Sequence, residues 1–260
     1  YIYEFSQHCT FDPYLPGISG SESGSVEFLT SLGIDPWKKW IDLTHEERKT
    51  VASALIMLCI EYSIPYSTIM QLAGDSYILT KEKEGTEKRD AMEFSTLLNA
   101  TARYGEAEIG LRVCLGDDDA YKRARTLLQN HRRNLSAGIR FVDEIGIVEM
   151  NNIQYFHAEN NIPDTILGIV AGMYLPKANL HKPIIAFASS DNGIKVSARV
   201  TYRLVEKGIH LAKALRQAAE RVGGIGGGHS VAAGATIPEG KELEFLKLLD
   251  EIIGKQISGH

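Results

Sequence analysis

The chain has 260 residues, of which 44% are hydrophobic and 23% charged, with a formal net charge of −5. This composition suits one large or two small globular domains and excludes a collagen-like or low-complexity chain. Three cysteines (Cys9, Cys59, Cys114), odd in number and with no C-x-x-C pair, argue against a disulfide framework or zinc knuckle and predict a reducing, cytoplasmic setting.

The longest apolar stretch, Val51 to Ile60, is about half of the ~20 residues that a membrane span needs, so no membrane partner is expected. The first residue is Tyr1 rather than Met, and the strand-like YIYEF at 1–5 has no partner nearby, which predicts a piece of a longer protein. Charge is uneven along the chain: residues 121–140 carry six Lys/Arg and no acid, and residues 191–223 carry seven Lys/Arg against three acids. Such asymmetry fits a nucleic-acid partner better than the total does, although either segment alone reads as a solvated helix face.

In chain order, residues 11–25 are dense in Pro, Gly and Ser and read as loop, with Ser21 or Ser23 capping a short helix through Leu32. Thr44 with Glu47 forms a capping box ahead of the apolar run 51–60, which predicts a helix buried nearly all round. Apolar residues at 91, 94, 98 and 102 predict a helix stopping at Gly105, and a short helix follows to Gly116. Asp117 to Asp119 then open a helix over about 118–141, with Lys122, Arg133 and Arg140 on one flank.

From Ile145 the pattern changes to a hairpin around Asn151-Asn152, a helix over 165–174, and a second strand pair around the turn Ser190 to Gly193. A helix ending at Val222, the glycine run, a strand at 235–237 and an amphipathic helix over 241–253 complete the chain. The fold class is α+β: a helical N-terminal region, 1–142, followed by a small mixed-sheet α/β domain, 143–260.

Five of the six residues Gly223 to Gly228 are glycine, followed by His229-Ser-Val-Ala-Ala-Gly234. Glycine at this density costs backbone entropy and implies close approach or positive φ. The small residues after it are able to start a helical turn whose N–H groups converge on an anion, naturally a phosphate. A plain helix C-cap needs only one glycine. A Walker loop is excluded because no Gly-Lys-Ser/Thr follows, and the dinucleotide fingerprint fails at His229. The near-match Gly228-His-Ser230-Val-Ala232 to a nucleophile elbow, with Asp250 and His260 behind it, leaves too little chain for a hydrolase sheet.

The run Gly-Gly-Gly-His-x-x-Ala-Ala-Gly near the end of an α+β domain resembles the DHH-associated C-terminal domain of RecJ-like single-strand exonucleases. Ser197-Ala198-Arg199 resembles that family's second phosphate-contacting element, and bidentate Arg pairing gives it a physical basis. Glu93 to Gly105 resembles the helix that turns Asn99 and Arg103 toward the substrate channel. Asp12 to Gly20 and Asn130 to Gly138 resemble the archaeal, GINS-associated branch.

The resemblance implies the substrate-binding part of a metal-dependent exonuclease acting on single-stranded DNA. Its site is formed by Gly226, Gly227, Gly228, His229 and Gly234 against Ser197 and Arg199, with Asn99 and Arg103 on a helical wall. His229 is the one candidate proton donor to the scissile group. Mn²⁺ or Mg²⁺ is expected in a DHH domain that this chain lacks, because no Asp-His dipeptide occurs in it; none of its residues is assigned a metal. Expected partners are single-stranded nucleic acid, the protein's own DHH domain and the GINS complex. A non-catalytic GINS-binding scaffold and a phosphodiesterase for short oligonucleotides or RNA are the competing readings.

Overall fold

A computed structural model describes residues 15, 18, 22–38, 40–72 and 77–259. The strand-like YIYEF and nearly all of Asp12 to Gly20 lie outside them. The chain divides into two units, Tyr1–Thr96 and Leu97–His260.

In the first unit, α1 (Glu22–Ser31) and α2 (His45–Glu61) meet at Leu29, Ile34, Leu43 and Val51. α2 starts where the sequence puts it: the Thr44 hydroxyl accepts from the Glu47 N–H, and the Glu47 carboxylate accepts from the Thr44 N–H at 2.7 Å. The expectation of a helix buried nearly all round fails, since only Val51 and Cys59 of α2 are buried while Ile56, Met57 and Ile60 are exposed. The apolar residues run round the helix, but the small cluster about Val51 covers one side of it. A short helix, α3 (Tyr66–Ile69), follows.

In the second unit, the C-terminal half of α4 (Ala91–Arg103) is joined by α5 (Ala107–Cys114) and the long α6 (Asp118–Ile145). Asp117 caps α6, accepting from the N–H groups of Asp119 and Ala120 at 3.0 Å, so the acidic triplet serves the helix start. Ala124, Leu127, Leu128, His131 and Val142 form its buried stripe.

The sheet has strands β1 (Val148–Glu149), β2 (Gln154–His157), β3 (Ile184–Ser190), β4 (Gly193–Arg199), β5 (Ile225–Gly228) and β6 (Ala232–Ile237), in the order β1-β2-β3-β4-β6-β5. β2 and β3 are parallel and joined through α7 (Asp164–Tyr174); the other pairs are antiparallel. Such a parallel step needs a crossover helix, which is why the apolar stretch after Pro163 folds as it does.

Side chains alternate between the two faces. Ile185, Phe187, Ile194, Val196, Ala198, Ala233, Ala235 and Ile237 pack against α9 (Leu211–Arg221) and α10 (Glu242–Ser258). Ile184, Ala186 and Ala188 pack under α7, which is itself backed by α6. The helix expected to end at Val222 is α9, and a further short helix not expected from the sequence, α8 (Tyr202–Glu206), precedes it across Gly208 with φ +102°. At the far end, buried Asp250 of α10 accepts from the N–H groups of Asn152 (2.7 Å) and Ile153 (3.1 Å) and so fixes the β1–β2 turn.

Candidate nucleic-acid interface

Strand alternation places Lys195, Ser197 and Arg199 of β4 on the face covered by α7. α7 approaches that face through Gly168 and Gly172, one helical turn apart. A Cβ on Gly168 would stand 2.5 Å from Nη2 of Arg199 and 3.3 Å from Oγ of Ser197, so the two polar groups converge on one bare spot of the helix. Ser197 is buried and Arg199 half-buried. Nη1 of Arg199 donates to the Ala198 carbonyl at 2.8 Å, and no carboxylate lies within ion-pair distance of the guanidinium among the described residues. Burial, and then the positive charge of Arg103, push the Arg199 guanidinium below its ordinary pKa.

Arg103 belongs to the same charge cluster. It sits near the end of α4, where Asn134 of α6 donates to the Tyr104 hydroxyl at 2.9 Å and the Tyr104 ring meets His131 edge-on. Its guanidinium donates to the Thr165 carbonyl at 2.7 Å, in the first turn of α7, and it too has no acidic partner among the described residues. Thr165 and Gly168 lie three residues apart on α7, so Arg103 and Arg199 flank one side of that helix. Two cations held together without a counter-ion are costly unless an anion joins them. Asn99, one turn before Arg103, is exposed on the same flank of α4.

The glycine segment does not start a helix. Gly226, Gly227 and Gly228 lie in β5, Gly234 in β6, and His229 begins the turn between them, its N–H donating to the Ala232 carbonyl at 2.8 Å. The expectation of an anion nest at a helix N-terminus is therefore corrected. The turn carbonyls are taken up by α9, through N–H of Leu211 to Ser230 and of Ala212 to His229, which leaves the segment extended.

The glycines have different reasons for being there. A Cβ on Gly226 would press 2.7 Å from the Leu215 carbonyl oxygen of α9, and one on Gly228, at φ +135°, would meet Ala233 Cα at 2.7 Å. Gly227 faces open space, with nothing within 4 Å of a Cβ. The register puts Ser197, Gly234 and Gly227 in one row across β4, β6 and β5. With His229 bonded to Ala232, the alternation of an antiparallel ladder turns the N–H groups of Gly226 and Gly228 out along the sheet edge. His229 itself is exposed beside them.

Sequence reasoning missed Gly168, Gly172 and Lys195. For Lys195 the signal was available, since the period of two that joins Ser197 to Arg199 also includes it. The α6 flank is partly neutralised: Lys122 pairs with Asp119 and Arg123 with Glu106, whereas Arg132, Arg133 and Arg140 have no acidic partner among the described residues. Asp250, the acid of the hydrolase-like series, is committed to Asn152 and Ile153. Among the described residues no group of three His, Cys, Asp or Glu is placed to hold a metal, and no helix is long and apolar enough to cross a membrane.

The chain is similar to several known proteins. Residues 151–255 match the DHHA1 domain model and residues 2–73 the DHH-CID domain model. An uncharacterised protein of Methanocaldococcus jannaschii is 35% identical over 256 residues, covering 98% of this chain and 53% of its own. The single-stranded-DNA-specific exonuclease RecJ of Dickeya dadantii is 27% identical over 177 residues, covering 61% of this chain and 29% of its own. The structure of RecJ from Thermus thermophilus in complex with Mn²⁺ superposes with a TM-score of 0.52 at 20% identity, over 80% of this chain and 30% of that one. The chain belongs to the DHH superfamily, as a RecJ-like C-terminal region. It spans about half the length of the M. jannaschii relative and less than a third of either RecJ.

Proposed function

We propose that this chain is the substrate-gripping part of a RecJ-like single-stranded DNA exonuclease, and that Ser197, Arg199 and Arg103 receive a phosphate of the strand. The observation that carries the reading is the half-buried Arg199 guanidinium, set beside Arg103 with no carboxylate among the described residues to neutralise either. A phosphate there accepts charge-assisted, bidentate hydrogen bonds from Arg199, with the Ser197 hydroxyl as a further donor. The extended glycine segment forms the other jaw: the outward N–H groups of Gly226 and Gly228 line an edge that the strand reaches, Gly227 and Gly234 keep the sheet bare beneath it, and His229 stands at the end as a donor to the scissile group. Asn99 and the arginines of α6 extend the path along the helical wall.

Hydrolysis itself is assigned to a DHH domain of the whole protein, where a bound Mn²⁺ or Mg²⁺ would supply an activated water. The described residues do not fit such a metal, so no step of that chemistry is derived from them. Interaction with the GINS complex belongs to the same proposal.

The test is a fluorescence-anisotropy titration with 5′-phosphorylated single-stranded DNA, comparing the wild type with Arg199→Ala and Arg103→Ala. Each substitution is expected to weaken binding at least about tenfold, the loss of one charge-assisted contact. Unchanged affinity in both rejects the phosphate site. Intact binding without cleavage by the full-length protein in Mn²⁺ favours the non-catalytic scaffold instead. A preference for RNA dinucleotides over longer strands favours the short-oligonucleotide phosphodiesterase.

A further inference from the structure

Beyond the edge of α7 the sheet stays open over β4, β6 and β5. There an open groove of about 890 Å³ is lined by Asn192, Lys195, Gly227, Gly234 and Thr236, among others. Lys195, Thr236 and Ile225 form one row across it, parallel to the row Ser197, Gly234 and Gly227. Ile225 is 81% exposed. Lys195 is half-buried and has no acidic partner among the described residues.

We propose that this groove holds the nucleotide next to the one whose phosphate Arg199 grips, and that Lys195 binds that nucleotide's own backbone phosphate. The inference rests on the phosphate site proposed above and extends it from one nucleotide to two. Lys195 and Arg199 lie on the same face of β4, roughly 13 Å apart along the strand, and Ser197, which shares the gripped phosphate with Arg199, lies midway, roughly 6.6 Å from Lys195. That step is comparable to one nucleotide of an extended single strand. Gly234 and Gly227, in the row beside that of Lys195, carry no side chain, so a sugar or base lies directly against the backbone there, while Asn192 and Thr236 offer hydrogen bonds that suit any base. An ammonium on a flexible stem contacts phosphate as a point charge, which tolerates the irregular spacing of a single strand.

The experiment uses full-length protein and cleavage-resistant ligands: thymidine 5′-monophosphate, 5′-phosphorylated dithymidylate with a phosphorothioate link, and the same dinucleotide with an uncharged methylphosphonate link. Lys195→Met is expected to weaken the charged dinucleotide about tenfold, to lower the salt slope of its binding by about 0.7, and to leave the mononucleotide and the methylphosphonate unaffected. Lys195→Arg restores dinucleotide binding. Equal weakening of all three ligands, or of none, while Arg199→Ala weakens all three, overturns the role of Lys195 and leaves the phosphate site standing. If Arg199→Ala also changes nothing, the phosphate site falls and the Lys195 contact falls with it.

Discussion

Gly168 and Arg199 share a space that holds only one of them if Gly168 gains a side chain: a Cβ there would lie 2.5 Å from Nη2 of the guanidinium. The displaced group is the far end of a flexible side chain, so the conflict is resolved by moving Arg199 rather than α7. Gly168→Ala is therefore expected to leave the Tm within a few degrees, helped by the better helix propensity of Ala, about 1 kcal/mol. Affinity for 5′-phosphorylated single strands should fall several-fold. Undiminished binding in an anisotropy titration shows that the observed placement of Arg199 is not needed for its role.

Arg199 should also separate binding from stability in sign. The guanidinium is half-buried beside Arg103 without a counter-ion among the described residues, so Arg199→Met removes an unneutralised charge and keeps most of the packing. Thermal denaturation without ligand is expected to give a Tm equal to or above that of the wild type, while DNA affinity drops at least about tenfold. Arg199→Lys should recover little of that affinity, because the ammonium lacks the planar fork. A large fall in the ligand-free Tm on Arg199→Met would identify the residue as structural.

Neighbouring glycines of β5 should behave differently. Gly226→Ala drives a Cβ to 2.7 Å from the Leu215 carbonyl oxygen and 2.9 Å from its carbonyl carbon, helix backbone that does not yield cheaply. A loss of roughly 2 kcal/mol is expected, seen as a fall of about 4–8 °C in Tm for a unit of this size. Gly227→Ala meets nothing within 4 Å and should keep the wild-type Tm while obstructing the row that leads to Ser197. Equal Tm changes in the two variants would contradict this division.

His131 gives a pH dependence. Burial first, and then the charges of Arg103 and Arg132, lower its pKa from the ordinary 6.5. The folded state thus binds fewer protons than the unfolded one near and below that value, and stability rises with pH there. The contribution is complete above about pH 6.5 and is lost as pH falls through the folded pKa. Tm measured from about pH 7.5 down to about pH 5 should fall less steeply in His131→Gln than in the wild type; identical slopes would remove His131 as the source.

Much of this was legible in the sequence where signals are local. The Thr44–Glu47 box, the Asp117 cap and the tight turn before Gly193 each depend on a few neighbouring residues, and each stands where the sequence puts it. The pair Ser197 and Arg199 was singled out by its resemblance to the family's second phosphate-contacting element, and strand alternation puts both on one face of β4. The glycine segment was misread in form, because a strand almost without side chains has no period to detect, and its extended shape is set by β6 and the backbone of α9. Gly168 and Gly172 looked like ordinary members of an apolar helix; their purpose appears only when β4 brings Arg199 beneath them. The exposure of α2 likewise depends on how little of it the cluster about Val51 covers, which a run of apolar letters does not encode.

The position of β5 at the end of the sheet has one more consequence. A terminal strand with unpaired backbone groups invites other chains to pair with it, and proteins commonly guard such borders with charge, proline or a covering loop. Here most of the strand is glycine, whose poor strand propensity offers an intruding polypeptide few side chains to pack against. The same bareness that the proposed nucleic-acid path needs therefore makes this border a weak seed for polymerisation.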